Sequence, residues 1–221
     1  MDYSNIRVKK PWGSEYLIHQ SKHAATWCLD MVFNEKTSLH CHPKKKTGFL
    51  LLEGEVEIDL GFYEKKFLKA PDKIMLRPGL FHATKAISKN GAKILEIESP
   101  IDKEDLVRFK DNYGRQNKPY EGKDMMTKLT DDDVLFLDPK INTHNVYKIG
   151  DRQIKLEIYN EKKYLIEKKE NTIFAILDGG LSSDDNKLVL SPGDIVRYDT
   201  IIKLCEVFKI SNQITFLSIE T

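Results

Sequence analysis

Short apolar stretches separated by turn residues run along almost the whole chain of 221 residues. They are four to six residues long, rich in aliphatic and aromatic side chains, and bounded by turn sequences such as LEGE, RPGL, LDGG and SPGD. The clearest lie at residues 49–52, 55–60, 93–98, 173–177, 187–190 and 214–219. Evenly spaced segments of this kind, closed by Gly, Pro, Asn or Asp, are typical of strands in barrels and sandwiches. The sequence therefore predicts an all-β fold.

The second half of the chain repeats features of the first half in the same order. The matching pairs are FNEK at 33–36 with YNEK at 159–162, Leu51 with Leu177, Gly54 with Gly180, Pro78-Gly79 with Pro192-Gly193, and ILEIE at 94–98 with FLSIE at 216–220. Ordered matches favour duplication over coincidence, although strand–turn–strand sequences also resemble one another by chance. We therefore expect two related β-barrels.

The duplication divides the chain into three parts. We expect an N-terminal barrel at residues 1–98, a connector at 99–150 and a C-terminal barrel at 151–221. The connector is polar and rich in turn residues, and it contains the clearest helix signal, at 103–112. There Asp102 is a possible N-cap, and Leu106, Val107 and Phe109 would form the apolar side of the helix.

The most informative motif for chemistry is the pair His40 and His42. Residues two apart in a strand project from the same face, so the two imidazoles point together. They can bind one cation when another strand supplies a further ligand. His82, which the turn at Pro78-Gly79 delivers onto the next strand, is the candidate. The H-x-H pair alone would be better explained by ordinary surface or hydrogen-bonded histidines, but the second motif favours a metal site.

These motifs resemble those of the cupin superfamily: H-x-H, a strand ending in glycine (GFLLLEG), then P-G-x-x-H. The opening KPWGSEY at 10–16 and the stretch SLHCH at 38–42 are similar to mannose-6-phosphate isomerase-like sugar cupins. The resemblance implies a bicupin, with two tandem cupin barrels (double-stranded β-helix, jelly-roll) and a short helical connector. It also implies that His40, His42 and His82 bind a divalent metal ion, Zn, Fe or Mn.

One position departs from the superfamily pattern. A glutamate usually stands five residues after the second histidine of H-x-H, and this chain has Thr47 there. Threonine is a poor ligand for a divalent ion, which leaves three alternatives. The histidines could bind Zn²⁺ or Fe²⁺ with water in the open positions. Glu96 or Glu98 could supply the missing ligand. The site could also hold no metal and bind a ligand directly.

The C-terminal copy is expected to lack the metal site. When the repeat offsets are carried across, His40 aligns with Ile166, His42 with Lys168 and His82 with Val196. A barrel without these histidines is predicted to be structural.

Basic residues near the histidines suggest a site for phosphate. In strand register, Lys44 of the run KKK at 44–46 shares the side of the two histidines, and Arg77 could make a bidentate contact to phosphate or carboxylate. The alternatives are a solvated strand edge for the lysines and a structural ion pair of Arg77 with Asp72 or Glu98.

The resemblance implies a metal-dependent isomerase or epimerase that acts on a phosphorylated or nucleotide-linked sugar. Glu96 or Glu98 would be the catalytic base, and Lys44 and Arg77 would bind the substrate. Two alternatives remain. One is a non-catalytic sugar-binding cupin module of polysaccharide-precursor biosynthesis, and the other is a three-histidine iron dioxygenase.

The balance of charges argues against nucleic acid or an anionic membrane as a partner. Lys plus Arg number 35 and Asp plus Glu number 34, for a formal net charge of +1. No apolar run is long enough to span a bilayer. The three cysteines form no CxxC pair, so we expect a reduced, cytoplasmic protein. A homodimer is compatible with the resemblance.

Overall fold

Three antiparallel β-sheets contain most of the regular structure in the computed structural model, which describes residues 2–115 and 120–221. The strands of the first part are β1 (Ile6–Lys10), β2 (Gly13–Gln20), β3 (Ala25–Met31), β4 (Leu39–Cys41), β5 (Lys46–Glu53), β6 (Glu55–Leu60), β7 (Glu64–Lys69), β8 (Asp72–Leu76), β9 (His82–Ala86), β10 (Ala92–Ser99), β11 (Val107–Lys110) and β12 (Met126–Lys128). The second part has β13 (Thr143–Ile149), β14 (Arg152–Tyr159), β15 (Thr172–Ser182), β16 (Leu188–Leu190), β17 (Ile195–Arg197) and β18 (Lys209–Glu220), with helices α1 (Lys163–Ile166) and α2 (Tyr198–Val207).

The first unit is a sandwich of two sheets. One has seven strands in the order β12-β1-β2-β3-β10-β5-β8, and the other has five in the order β11-β4-β9-β6-β7. Side chains alternate between the two faces of each strand. On β5, Phe49 and Leu51 face the core between the sheets, whereas Leu50 and Leu52 face the opposite side. The seven-stranded sheet is therefore apolar on both faces.

The second unit repeats the central sheet of the first. Its strands β13-β14-β18-β15-β17 pair in the same order and antiparallel sense as β2-β3-β10-β5-β8. Helices α1 and α2 cover its inner face, where Leu165, Ile201 and Cys205 pack on Phe174 and Phe216. In the first unit the five-stranded sheet occupies this place. The all-β prediction of two tandem jelly-roll units is thus confirmed, with the second unit degenerate.

The pairing of the strands corrects one correspondence of the sequence repeat. Strand β17 follows Pro192-Gly193 and pairs with β15 as β8 pairs with β5, but Pro78-Gly79 comes after β8. These two turns therefore occupy different places in the fold. Val196 corresponds to Ile74 and not to His82. The alignment failed because turns between short strands share the same residue types wherever they occur.

The histidine strand of the first unit is replaced in the second. The repeat offset aligns His40 with Ile166 and His42 with Lys168, yet Ile166 is the last residue of α1. Strand β4 therefore has no counterpart strand within the residues described for the second unit.

The helix predicted at 103–112 is wrong. Residues Val107–Lys110 form β11, which pairs with the histidine strand β4. Exposed Val107 and Phe109 alternate with Arg108 and Lys110, which is the two-residue period of a strand. The helical element of the connector is instead a single 3-10 turn at Lys123–Met125. Residues 116–119 of the connector lie outside the described residues.

The two units share one hydrophobic core. The outer face of the seven-stranded sheet, with Leu50, Leu52 and Leu95, packs against Leu217 and Ile219 of the second unit. All of these side chains are almost completely buried. None of the helices in the described ranges is long and apolar enough to cross a membrane.

The shared core predicts that Leu217→Ala destabilises both units together. Removing this fully buried side chain should lower the free energy of unfolding by about 2 to 5 kcal/mol. The two tryptophans, Trp12 and Trp27, both lie in the first unit, so their fluorescence reports that unit alone during urea denaturation.

The expected result is a single transition in which fluorescence and far-ultraviolet circular dichroism move together to lower urea. Leu188→Ala, at a position 40% exposed, is the matched control and should change little. Tryptophan fluorescence that keeps its wild-type midpoint in Leu217→Ala would contradict a shared core.

Candidate metal centre and ligand cavity

The structure brings His40, His42 and His82 together. His40 on β4 pairs across the sheet with His82 on β9, and His42 directly follows β4. One ring nitrogen from each residue lies within 4.8 Å of the other two. The ring centroids are 4.5 to 5.5 Å apart. The two sequence motifs therefore meet at one point inside the first unit.

A backbone carbonyl orients each of the three imidazoles. The acceptors of the Nδ1–H groups are the carbonyl oxygens of Ser38 for His40 (2.7 Å), Asp105 for His42 (2.6 Å) and Leu80 for His82 (3.0 Å). Because a carbonyl can only accept, each ring carries its proton on Nδ1, and the lone pair is on Nε2. The Nε2 atoms of His42 and His82 are buried without a hydrogen-bond partner. Such outer contacts are what metal-binding histidines require, so the residues present fit a divalent ion.

Burial keeps these histidines neutral. It lowers the pKa of His42 to about 2 and that of His82 to about 4, and it lowers the pKa of His40 well below its usual value. The charges of neighbouring groups, Lys45 at His42 and His82 at His40, act in the same direction. The neutral imidazole is the form that binds metal, so no proton has to leave at neutral pH.

No carboxylate in the described ranges joins the three histidines as a fourth ligand within 4.8 Å. Thr47, which stands where a glutamate is usual, is buried on β5, and its Oγ1 has no hydrogen-bond partner. Glu98, paired with Thr47 across the sheet, is not part of the group. The group thus offers three nitrogens and leaves coordination positions for water or substrate, as catalytic zinc sites do.

His40 and His42 line a cavity of about 620 Å³, its open mouth included, within the first unit. Its charged lining side chains are Lys10, Lys45, Lys103, Arg108, Arg115, Glu15, Glu96 and Glu98. Five of these groups are cationic and three are carboxylates, and two further carboxylates, Glu121 and Asp111, pair with Lys10 and Arg115 from behind the wall. The cationic groups that face the cavity can donate charge-assisted hydrogen bonds to an anionic ligand.

Glu96 and Glu98 lie on the same face of β10 but differ in their surroundings. Glu98 accepts a hydrogen bond from Nε1 of Trp27 at 3.0 Å and forms a buried ion pair with Lys45. Burial raises the pKa of Glu96 to about 7, with the charge of Lys103 opposing this effect and that of Glu98 adding to it. Glu98 is therefore held in place, whereas Glu96 can gain or lose a proton near neutral pH.

The cationic wall comes from segments that sequence reasoning did not connect. Glu15 lies 2.9 Å from Lys103 and 3.5 Å from Lys10, and it accepts a hydrogen bond from Tyr120. The ammonium group of Lys103 also lies 3.5 Å from the ring centroid of Trp27. Lys10 is the first residue of the KPWG motif, which was the sequence feature that could have pointed to its place in the cavity wall. Lys103 and Tyr120 belong to the connector, in which no sequence motif pointed to the cavity.

Lys44 and Arg77, the predicted substrate-binding residues, are exposed and do not line the cavity. Strand β4 ends at Cys41, and the turn that follows breaks the alternation, so Lys45 points inward in place of Lys44. The predicted side of Lys44 is therefore wrong. Neither ion pair considered for Arg77 forms, because Asp72 pairs with Arg197 and Glu98 pairs with Lys45.

Asp105 of the connector supports the histidine turn from two directions. Its carboxylate accepts hydrogen bonds from the backbone N–H groups of Lys44 and Lys45, both at 2.9 Å. Its carbonyl oxygen accepts the Nδ1–H of His42. The connector thereby fixes both the turn after β4 and the orientation of one imidazole.

No protein-family profile matches the chain, and no curated protein matches it. Among solved structures, KdgF from Halomonas sp. is 16% identical with a TM-score of 0.39, covering 42% of this chain and 84% of its own. A double-stranded β-helix protein from Klebsiella pneumoniae is 15% identical (TM-score 0.40; 44% and 79% covered). The cupin domain of Schizosaccharomyces pombe Cnp3 is 12% identical with a TM-score of 0.38, and the match covers 40% of this chain and 64% of that domain. Likenesses this distant carry no argument about function; the jelly-roll fold rests on the strand order described above.

His42→Ala is expected to abolish retention of a divalent metal and to leave the fold nearly intact. Two nitrogen ligands bind a divalent ion much more weakly than three. The measurement is elemental analysis of purified protein, with near-ultraviolet circular dichroism to check the fold. His23→Ala, which replaces a half-exposed histidine outside the cavity, is the control. Undiminished metal in His42→Ala would refute the assignment.

Asp105→Ala is expected to weaken metal binding by about 10- to 100-fold, the usual effect of losing an outer-shell support. The alanine variant retains its carbonyl but frees the N–H groups of the turn that carries His42. Competition with a fluorescent chelator measures the affinity. Asp102→Ala, in the same loop, removes a carboxylate that does not contact this turn and should bind metal as the wild type does. Equal affinity in both variants would show that the turn does not depend on Asp105.

Proposed function

We propose that the chain is a metal-dependent isomerase or epimerase that acts on a phosphorylated or nucleotide-linked sugar. The observation that carries this proposal is the position of Glu96. It is a buried carboxylate in the same cavity as His40 and His42. An acid–base group beside a three-nitrogen site is the combination needed to move a proton next to a sugar carbonyl.

The metal would be held by the Nε2 atoms of His40, His42 and His82. A divalent ion there, Zn, Fe or Mn, would supply a Lewis acid toward the oxygens of the bound sugar. The three imidazoles are neutral and already oriented by backbone carbonyls, so little reorganisation is required on binding.

Glu96 would move the proton. Its carboxylate takes a proton from the carbon next to the carbonyl, and the electron pair of that C–H bond passes to the carbonyl oxygen to form an enediolate. The protonated Glu96 then returns the proton to the former carbonyl carbon while the hydroxyl proton of the neighbouring oxygen passes to the former carbonyl oxygen, which gives the isomer. Epimerisation would instead need a second group of the cavity, such as the ammonium of Lys103, to donate a proton from the opposite face, with Glu96 releasing its proton to water. A pKa of about 7 suits both halves of this exchange at neutral pH.

The positive wall would hold the phosphate. Lys103, Lys10 and Arg115 line the cavity together with Glu96, although each also pairs with a carboxylate of the protein. Their ammonium and guanidinium groups can donate charge-assisted hydrogen bonds to a phosphate. These residues take the role that the sequence assigned to Lys44 and Arg77.

A three-histidine iron dioxygenase is the second candidate, since three nitrogens with open positions also suit Fe²⁺. The non-catalytic sugar-binding module is favoured by Thr47, because a fourth ligand is missing. Elemental analysis combined with oxygen consumption separates the three. Bound iron with substrate-dependent oxygen uptake indicates the dioxygenase, and sugar-phosphate binding without turnover indicates the binding module.

Glu96→Gln tests the proposed base. The probes are hexose 6-phosphates and nucleotide-linked hexoses in D₂O, with NMR following exchange of the hydrogen next to the carbonyl. We expect kcat to fall by about 100-fold or more with metal content unchanged. Because Glu96 must be ionised, wild-type kcat/KM should rise as the pH increases through about 7, and this limb should vanish in the variant.

Glu98→Gln is the comparison variant. It leaves the buried ammonium of Lys45 without its ion partner, so it should lower the melting temperature, whereas Glu96→Gln should not. The burial of Glu96 raises its pKa above the unfolded value, so ionisation at high pH costs stability and the neutral amide avoids this cost. Turnover of Glu96→Gln at the wild-type rate, or no exchange with any probe by metal-loaded wild type, would refute the proposed function.

A further inference from the structure

We infer that the second unit contains its own small binding site, for an uncharged polyhydroxy compound such as a monosaccharide. The site is a polar cavity at the inner face of strands β14, β15 and β18. It needs neither the metal centre nor the proposed reaction of the first unit. The second unit is therefore more than the structural copy that its lack of histidines suggests.

The strand register places this cavity where the first unit has its own. Thr172 pairs with Glu220 as Thr47 pairs with Glu98, and Ser218 takes the place of Glu96. Thr172, Ser218 and Glu220 all line the second cavity. Its free space is about 560 Å³ with the mouth included. Ser218 and Glu220 thus stand at the positions that Glu96 and Glu98 hold in the lining of the first cavity.

A buried carboxylate lies behind two lining residues of the second cavity, Lys168 and Ser218. Glu157 is completely buried, forms an ion pair with Lys168, and accepts a hydrogen bond from Ser218. Thr172 is only 2% exposed, and its Oγ1 is buried without a hydrogen-bond partner. Burying a hydroxyl without a partner costs free energy, and a ligand in the cavity it lines can supply that partner.

The charges around the second cavity nearly cancel. Arg152, Lys155 and Lys168 line it with Asp151 and Glu220, and buried Glu157 supplies the third negative charge. Outside the mouth, Glu220 pairs with exposed Lys169. With its charges balanced in this way, the site does not select an ion. Neighbouring ammonium, carboxylate and hydroxyl groups instead match a ligand whose hydroxyls both donate and accept hydrogen bonds.

Thr172→Val provides the test, because it replaces the unpartnered hydroxyl with a methyl group of similar size. The probes are D-glucose, D-mannose, D-galactose and myo-inositol, none of which carries a charge, and saturation-transfer NMR measures their affinity. We expect at least one probe to bind the wild type and to bind Thr172→Val about fivefold more weakly or worse, the effect of one lost hydrogen bond. The variant should melt at the wild-type temperature or above it, because a buried unpartnered hydroxyl has been removed.

Two control variants locate the binding. Thr47→Val makes the same change at the matching position of the first unit, and His42→Ala removes the metal centre. Both should bind the uncharged probe as the wild type does, whatever becomes of the reaction proposed for the first unit. Lys155→Ala, at a half-buried cavity position, gives a second measure and should also weaken binding. The inference is overturned if no probe binds, or if Thr172→Val and Thr47→Val bind equally well.

Discussion

The seven-stranded sheet is buried on both faces, and the rest of the structure follows from this constraint. Its outer face packs against the second unit, and its inner face lines the core and cavity of the first. Polar side chains on the inner face are cut off from water, so each must find a partner or become neutral. Glu98 accepts a hydrogen bond from Trp27 and forms an ion pair with Lys45, whereas burial raises the pKa of Glu96 to about 7. The reactive group of the proposed mechanism is thus a product of two-sided burial.

The connector is part of the site and does more than join the two units. Strand β11 extends the sheet that carries His40, and Asp105 braces the turn that carries His42. Lys103 brings positive charge to the cavity wall beside Trp27. Residues 1–98 alone would therefore lack much of the surface that faces a ligand.

The sequence predicted the parts of the site that depend on local spacing. Alternation along a strand and a turn before His82 were enough to bring three histidines from two motifs to one point. The same reasoning failed at Lys44, because alternation ends where a strand ends and nothing local marked that boundary. It failed again at 103–112, where the local pattern predicts a helix but residues 107–110 form a strand that pairs with β4. Contacts such as Lys10 with Glu121 join distant parts of the chain and leave no local pattern.

The covalent link between the two units also changes how the packing surface between them can evolve. In a symmetric dimer of single units, every substitution at the contact appears twice, once on each side of the axis. Here Leu50 and Leu217 belong to one hydrophobic core at the junction between unequal halves of one chain. A mutation in one half is not repeated in the other, so the two halves can change independently. Independent change of this kind is compatible with the observed difference: the second unit has two helices where the first unit has its five-stranded sheet and its three histidines.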